Sequence, residues 1–317
     1  MRSARLLFVF AALTVAACGS DDGGGGATGE QARVRVQDTA GVPSALLEYG
    51  VDQGFFKQRK LDVEVTPSQG GATVVPSVVS GSIDIGGSNL VSVLLATDTG
   101  VPLKIVAPGT FVQTDSKQDF SGIVVAEDSD IRSPKDLEGK TLAVNTLKNV
   151  AEVTAKASLA KEGVDVSKIE LAEVDFPEMT AAVEQGRVDA AFAIEPFVTQ
   201  ALAGGNRLVN RPYVGTKPGL QIGCYFANEK YLNENRDVVE RFHEGVAATA
   251  EAIARDPDAF RAFLPEASEI PAAAAEEGIL PAWKADSDQA SLDLTAELME
   301  RYGVSDEAPD TSDVIEE

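Results

Sequence analysis

Basic residues are in short supply: 27 Lys and Arg stand against 50 Asp and Glu, a formal net charge of -23. Such a surface repels phosphate backbones and anionic membranes, which excludes nucleic acid as a partner. Histidine and cysteine are scarcer still, with one His (His243) and two Cys (Cys18 and Cys224). Without a second His, a His/Cys cluster or a Gly-x-Ser-x-Gly turn, zinc sites and nucleophilic triads lack their parts. The sequence therefore predicts no metal, no cofactor and no catalysis. The acidity itself requires nothing more than a well-solvated surface.

What is present is a globular composition, 317 residues and 44% hydrophobic, enough for one large core or two of ordinary size. The first segment reads as an export signal. Arg2 and Arg5 precede the apolar run Leu6–Ala17, which is shorter than the roughly 20 residues that cross a bilayer. The run ends in Val15-Ala16-Ala17-Cys18, which resembles the bacterial lipobox. That resemblance implies cleavage after residues 1–17 and a diacylglycerol on the sulfur of Cys18. Residues 18–32, rich in Gly with Asp21 and Asp22, have the composition of a flexible tether. Once Cys18 is acylated, Cys224 is the one remaining thiol, so no intrachain disulfide is expected.

One stretch occurs twice. Residues 78–87 read VVSGSIDIGG and residues 182–191 read AVEQGRVDAA: a helix end, a Gly stop, then an acid that opens a buried strand. Two such returns lying far apart imply two similar α/β lobes with a site between them. Around them, Val34 to Gln37 alternates as a first strand, Pro43 opens a helix running to Gly54, and Leu61 to Val65 alternates as a second strand. Pro76 is tolerated only near a helix start, which places that start at Ala72 or Thr73. The amides of Gln69 to Thr73 are then unpaired beside Gly70 and Gly71. Ser133 is predicted to cap a single turn opened by Pro134, and Asn149 with Glu152 to form a capping box. From Asn228 onward, long helices carry Val239, Phe242, Val246 and Ile253 on one face and are expected to return to the first lobe. Residues 306–317 are acidic and aperiodic, and are expected to be a disordered tail.

Several of these segments carry a family likeness. Asp52-Gln53-Gly54-Phe55-Phe56, Leu61-Asp62-Val63-Glu64-Val65, Gly70-Gly71 and Gly81-Ser82-Ile83-Asp84-Ile85-Gly86 resemble the solute-binding proteins of ABC importers in the sulfonate, nitrate, taurine and thiamine-pyrimidine group. Ser133-Pro134-Lys135-Asp136-Leu137-Glu138-Gly139-Lys140, Gly186 to Ala191 and Glu195-Pro196-Phe197 continue the resemblance in the family's order, over about residues 33–302. It implies an α/β, two-lobed periplasmic-binding-protein-like fold (type II) with two hinge crossovers. Lobe I is expected at 33–120 and 223–305 and lobe II at 121–222, with Ser121-Gly122 and Gln221 to Cys224 as hinge candidates. The implied function is capture of a small organic solute (an aliphatic sulfonate, taurine or nitrate) by lobe closure. Delivery is to a permease and its ATPase, by a monomer held through Cys18 on the extracytoplasmic face of the cell membrane. The same role for a thiamine-precursor pyrimidine or another heteroaromatic is an alternative, and a membrane-anchored sensor for a signalling receptor is a third. The fungal pyrimidine synthases that resemble this group use an active-site His and a Cys-rich motif; here His243 sits on a long helix and no Cys-rich motif occurs.

In such a fold, loops at the carboxyl ends of strands line the cleft: Thr39, Ser44, Gln69, Gly70, Ser88, Asn89 and Thr110 from lobe I, and Asn145, Thr146 and Glu195 from lobe II. All but Glu195 are uncharged. Helix amino termini hold an anion such as a sulfonate without Lys or Arg, at roughly 0.3–1 kcal/mol per exposed terminus. Ordinary helix capping explains Ser88, Asn89 and Thr146 equally well. Glu195, before Pro196 at the end of a buried strand, either pairs with a structural Arg or faces a ligand amine.

Overall fold

The computed structural model describes residues 31–68, 70–267 and 270–316. The expected export signal at 1–17, Cys18 and the tether up to residue 30 lie outside the described residues, as does Gln69. The chain opens with β1 (Ala32–Thr39), α1 (Val42–Asp52), the single turn α2 (Phe55–Gln58), β2 (Leu61–Ser68), α3 (Gly71–Val79), β3 (Ile85–Asn89), α4 (Leu90–Asp98), β4 (Leu103–Pro108) and β5 (Thr110–Phe111). It then builds β6 (Ser121–Val125), β7 (Thr141–Val144), α5 (Val150–Lys161), β8 (Glu170–Glu173), α6 (Phe176–Glu184), β9 (Ala190–Ile194), α7 (Phe197–Ala203), β10 (Arg207–Asn210) and α8 (Pro212–Thr216). The last part is β11 (Gly223–Asn228), α9 (Glu229–Glu234), α10 (Arg236–Arg255), α11 (Pro257–Ala267), α12 (Ala272–Glu277), β12 (Ala282–Trp283) and α13 (Gln289–Arg301).

Two five-stranded sheets repeat one plan. The first has the order β2-β1-β3-β11-β4 and the second β8-β7-β9-β6-β10. In each, the first of three parallel strands stands between the other two, and an antiparallel strand lies beside the third. Parallel neighbours need crossover connections, and these are helical on both sides. The result is the two-lobed α/β architecture that the resemblance implies, inside one compact unit, Gln31–Glu317.

The duplicated stretch is the joint of each lobe. Gly81 and Gly186 both take left-handed backbone, at φ +73° and +65°. Each ends its helix with the paired bonds of a Schellman turn, Ser82 N–H to the Ser77 carbonyl in one lobe and Arg187 N–H to the Ala182 carbonyl in the other. Three residues on, an Asp then grips the first strand of its own sheet. The Asp84 carboxylate accepts from the Arg35 N–H at 2.8 Å, and the Asp84 N–H donates to the Arg35 carbonyl at 3.0 Å. Asp189 repeats both bonds with Thr141, at 2.8 and 3.0 Å. Each acid therefore fixes the register of the third strand against the first.

The lobes are joined by two segments that pair with each other. Ile222 N–H donates to the Thr110 carbonyl and Val112 N–H to the Leu220 carbonyl, both at 2.8 Å, and Phe111 bridges to Gln221. Ser121-Gly122 is not a hinge: both residues lie within β6, paired with Ile194 and Ala193 of β9. Asp119 holds that end in place, its buried carboxylate accepting from the N–H and hydroxyl of Ser121 and from the Val214 N–H. The long α10 returns to the first lobe, burying Val239, Phe242, Val246 and Ile253, with the Phe242 ring stacked on Phe56 at 5.6 Å. α13 packs against α4 of one lobe and α5 of the other.

The acidic end of the chain departs from expectation. Residues 306–316 are ordered: Ile105 N–H donates to the Val314 carbonyl at 2.7 Å and Glu316 N–H returns to the Ile105 carbonyl at 2.9 Å. β4 is an edge strand whose free backbone groups attract a partner, and the tail provides it. Lys104 on that edge pairs with Asp313 at 2.5 Å, and Arg236 with Glu316 at 2.5 Å. Charge and lack of periodicity concealed a segment held by backbone bonds and by cations elsewhere in the chain. The predicted capping box is also shifted by one residue, since the Glu152 carboxylate accepts from the Lys148 N–H rather than that of Asn149.

Replacing Asp84 or Asp189 by Ala strips a strand N–H of its acceptor and is expected to cost about 1–3 kcal/mol. Urea denaturation should register the loss, while Asp62→Ala on the exposed face of β2 should shift stability by less than about 0.5 kcal/mol. Unchanged midpoints in the first two variants would contradict the role of the acids.

Candidate functional site

Both sheets point the carboxyl ends of their parallel strands at one shared space. From the first lobe come the end of β1 (Asp38, Thr39), the start of α3 (Gly70, Gly71), the end of β3 (Ser88, Asn89), Gly109 and Thr110, and the first residues of β11. The second lobe and the crossovers supply Asn145, the start of α5 at Val150, Phe176, Ile194, Tyr213 and Phe120. The cavity has about 60 Å³ of room; at about 10–15 Å³ per water-sized sphere, that holds about four to six of them. Its scale suits a small solute.

Of the residues expected from sequence, Thr39, Gly70, Ser88, Asn89, Thr110 and Asn145 line this cavity. Thr146 stands just behind, its hydroxyl 3.9 Å from where a Cβ at Gly70 would be. Ser44 does not reach it. Its hydroxyl is turned along α1, donating to the Gly41 carbonyl at 3.1 Å and to Glu48 at 3.3 Å.

Glu195 does not face the cavity either. Its carboxylate accepts from the N–H and hydroxyl of Thr199 at 3.1 and 3.0 Å, and from the Ile279 N–H at 3.3 Å. It thus ties the end of β9 to the segment between α12 and β12, a contact from one lobe to the other. The Arg alternative fares no better, because Arg211 donates to the carbonyls of Asp119 and Ser121. Burial pushes the Glu195 carboxyl above its ordinary range, against the bonds from Thr199 and Ile279 and the charge of Arg211. A second bond between lobes runs from the Asn149 amide to the Ser92 hydroxyl, at 3.0 Å.

Two polar groups escaped the sequence reading. Asp38 continues the alternation of Val34 and Val36, and that period of two puts its carboxylate on the buried face of β1. One oxygen accepts from the Thr39 N–H at 2.7 Å and the other from the Tyr225 hydroxyl at 3.0 Å. No Lys or Arg is found among the described residues that line the cavity. Burial pushes the Asp38 carboxyl up to about 7, although both hydrogen bonds act the other way. Tyr225, from the antiparallel β11, gave no sequence signal of a role because nothing local fixes which strand neighbours β3.

Because the folded protein holds a proton on Asp38 up to about pH 7 and the unfolded chain releases it near 3.8, this group favours folding at low pH. Its contribution is lost as pH rises through that window. Stability of the unliganded protein in urea should therefore fall between about pH 4 and about pH 7, more steeply in the native sequence than in Asp38→Asn. Equal slopes would show that Asp38 ionises as freely as an exposed carboxylate.

With this geometry in hand, the chain is similar to known proteins along most of its length. A family model described as NMT1/THI5 like matches residues 45–260. The taurine-binding periplasmic protein of Escherichia coli (strain K12) is 22% identical over 207 residues, 65% of this chain; that match spans 62% of the relative's own length. The formylaminopyrimidine-binding protein of Halalkalibacterium halodurans is 22% identical over 81% of this chain and 77% of its own. The 4-amino-5-hydroxymethyl-2-methylpyrimidine phosphate synthase of Aspergillus parasiticus is 22% identical over 65% of this chain and 62% of its own. Among solved structures, the alkanesulfonate-binding protein SsuA from Xanthomonas axonopodis pv. citri, bound to MOPS, aligns with a TM-score of 0.74 at 21% identity, over 90% of this chain and 98% of that one. The match at 45–260 takes in β2, α3, β3 and the whole second sheet, and so most of the elements that wall the cavity, though not β1 with Asp38 and Thr39. The chain belongs to the NMT1/THI5-like family.

Proposed function

We propose that the chain is the extracytoplasmic solute receptor of an ABC importer, closing its two lobes on a small organic solute and passing it to a permease. The observation that carries this reading is a small cavity walled by both lobes, which meet through contacts such as Glu195 to Ile279 and Asn149 to Ser92. Lobes joined by two paired segments rotate as bodies, and a solute touching both stabilises closure by its higher affinity for the closed form. The solute class is an aliphatic sulfonate, taurine or a related small anion, in keeping with the names of two relatives. A pyrimidine is the second reading, favoured by the flat walls of Phe120, Phe176 and Tyr213 and by the name of a third. Lipid attachment at Cys18 places the receptor on the outer face of the cell membrane as a monomer.

Two features of the structure support reading the chain as a binder rather than a catalyst. The thiol that lines it, Cys224, is pushed up by burial and by the nearby Asp38 charge, so it stays protonated and a poor nucleophile. His243 lies on α10 with a ring nitrogen 3.0 Å from the Val106 carbonyl, away from the cavity.

The single tryptophan reports on closure. Trp283 on β12 pairs with Thr110 of β5, the strand that leads into the first crossover. Titration with alkanesulfonates, taurine, nitrate and hydroxymethylpyrimidine should give a saturable change in its fluorescence with at least one of them. At about 100 times its dissociation constant, that solute should raise stability by about 2.7 kcal/mol in a thermal scan. Neither signal with any member of the panel would reject this solute class.

A further inference from the structure

We propose that the solute is a compact zwitterion, its protonated amine received by the Asp38 carboxylate and its anionic head lodged at the amino end of α3 between Gly71, Ser88 and Asn89. This rests on the solute-receptor function above and narrows it.

The cavity is polar at two ends of opposite character. At one end stands Asp38. The titratable groups that face it from neighbouring elements are Glu48 on α1, and Tyr225 and Cys224 on β11, and none of them carries positive charge. Its carboxylate lies across Gly87, where a Cβ would come within 2.1 Å of one oxygen, so the glycine is what admits it. A buried carboxylate with two hydrogen bonds retains acceptor capacity, and an ionised one calls for a cation. A ligand is the source that remains, since no Lys or Arg is among the described lining residues.

At the other end the donors gather. The nine-residue α3 begins at Gly71 with Gly70 as its cap, and among the described residues no side chain makes a capping hydrogen bond to its amino end. The Ser88 hydroxyl is buried and has no hydrogen-bond partner, and it lies 2.0 Å from where a Cβ on Gly71 would be. The Asn89 side-chain oxygen is taken by the Ser92 N–H at 3.0 Å, which leaves its amide nitrogen, 3.0 Å from the same Cβ position, to donate elsewhere. Asn145 brings a further amide nitrogen from the second lobe, 2.8 Å from a Cβ position on Gly70. An orphaned hydroxyl, two amide groups and a helix amino terminus converge on one spot, which is the environment an anion requires.

The cavity sets the size. Asp38, Gly71, Ser88 and Asn89 all line the same space, with about 60 Å³ of room. A ligand that meets both ends is therefore compact. Nitrate and simple alkanesulfonates fill only the donor end. They leave Asp38 to be neutralised by a proton.

That difference gives the test. An amine binds the ionised form of Asp38, so its affinity rises with pH through the range in which the empty site loses its proton; a bare anion gains from the protonated form and weakens as pH rises. Isothermal titration calorimetry of the full chain would compare 2-aminoethanesulfonate and 3-aminopropanoate with ethanesulfonate and propanoate, near pH 5.5 and near pH 8, in the native sequence and in Asp38→Asn. The expected result is at least about tenfold tighter binding of an amine-bearing probe than of its amine-free partner near pH 8, a gap that shrinks at low pH and in the variant. Ethanesulfonate binding as tightly as 2-aminoethanesulfonate near pH 8, or an amine-bearing probe tightening as pH falls, overturns the zwitterion while leaving the receptor function intact. No heat from any amine-bearing probe also overturns it, and the fluorescence panel then decides the receptor function separately. Should Asp38→Asn fail to fold, the pH comparison in the native sequence decides alone.

Discussion

A carboxylate that closes onto the backbone of a neighbouring strand, once in each lobe, determines where the rest of the molecule stands. Asp84 and Asp189 each bond both ways with the first strand of their sheet, and each follows a left-handed glycine that turns the chain out of a helix. With the third strand locked against the first, the carboxyl ends of β1 and β3 emerge side by side in one lobe, and those of β7 and β9 in the other. The cavity is lined from those ends. A slip of one residue would turn every strand side chain to the opposite face and take Asp38 and Ser88 out of the site.

The same economy of parts governs the junction between lobes. The crossovers bond to one another as a short antiparallel ladder, and Asp119 pins the start of β6 to α8. Under the proposed function, rotation is confined to a few residues flanking the ladder, and the sheets move as bodies. The hydrogen bonds between lobes include a carboxylate to one amide and an amide to one hydroxyl, beside the packing of α13 on α4 and α5. Such a balance lets a small solute tip the equilibrium, because each hydrogen bond contributes only about 0.5–1.5 kcal/mol net.

Much of this was legible in the sequence. The repeated Gly and Asp announced two equivalent lobes, Pro76 put the start of α3 at Ala72 or Thr73, within two residues of Gly71 where it begins, and the helical period of α10 placed it on the first lobe. Residues at strand ends identified six of those that line the cavity, including Ser88, Asn89 and Asn145. What failed did so for definite physical reasons. Glu195 was the conspicuous acid, but its side chain turns back onto α7, and a preference for the conspicuous charge hid Asp38, whose position in phase with Val34 and Val36 was the better signal. The tail was misjudged because pairing with β4 depends on a strand some two hundred residues away, and no local pattern encodes it. Tyr225 was missed likewise, since its place beside β3 is a fact of topology.

The central claim is that the two lobes, separately built, shut on a solute. The Ile279 amide is its most direct witness, because its acceptor, the Glu195 carboxylate, belongs to the opposite lobe. Hydrogen–deuterium exchange of the segment that begins at Ile279 should slow markedly when 2-aminoethanesulfonate, or whichever probe proves to bind, is added to saturation. Equal exchange with and without a probe that demonstrably binds would mean that the lobes do not close on it.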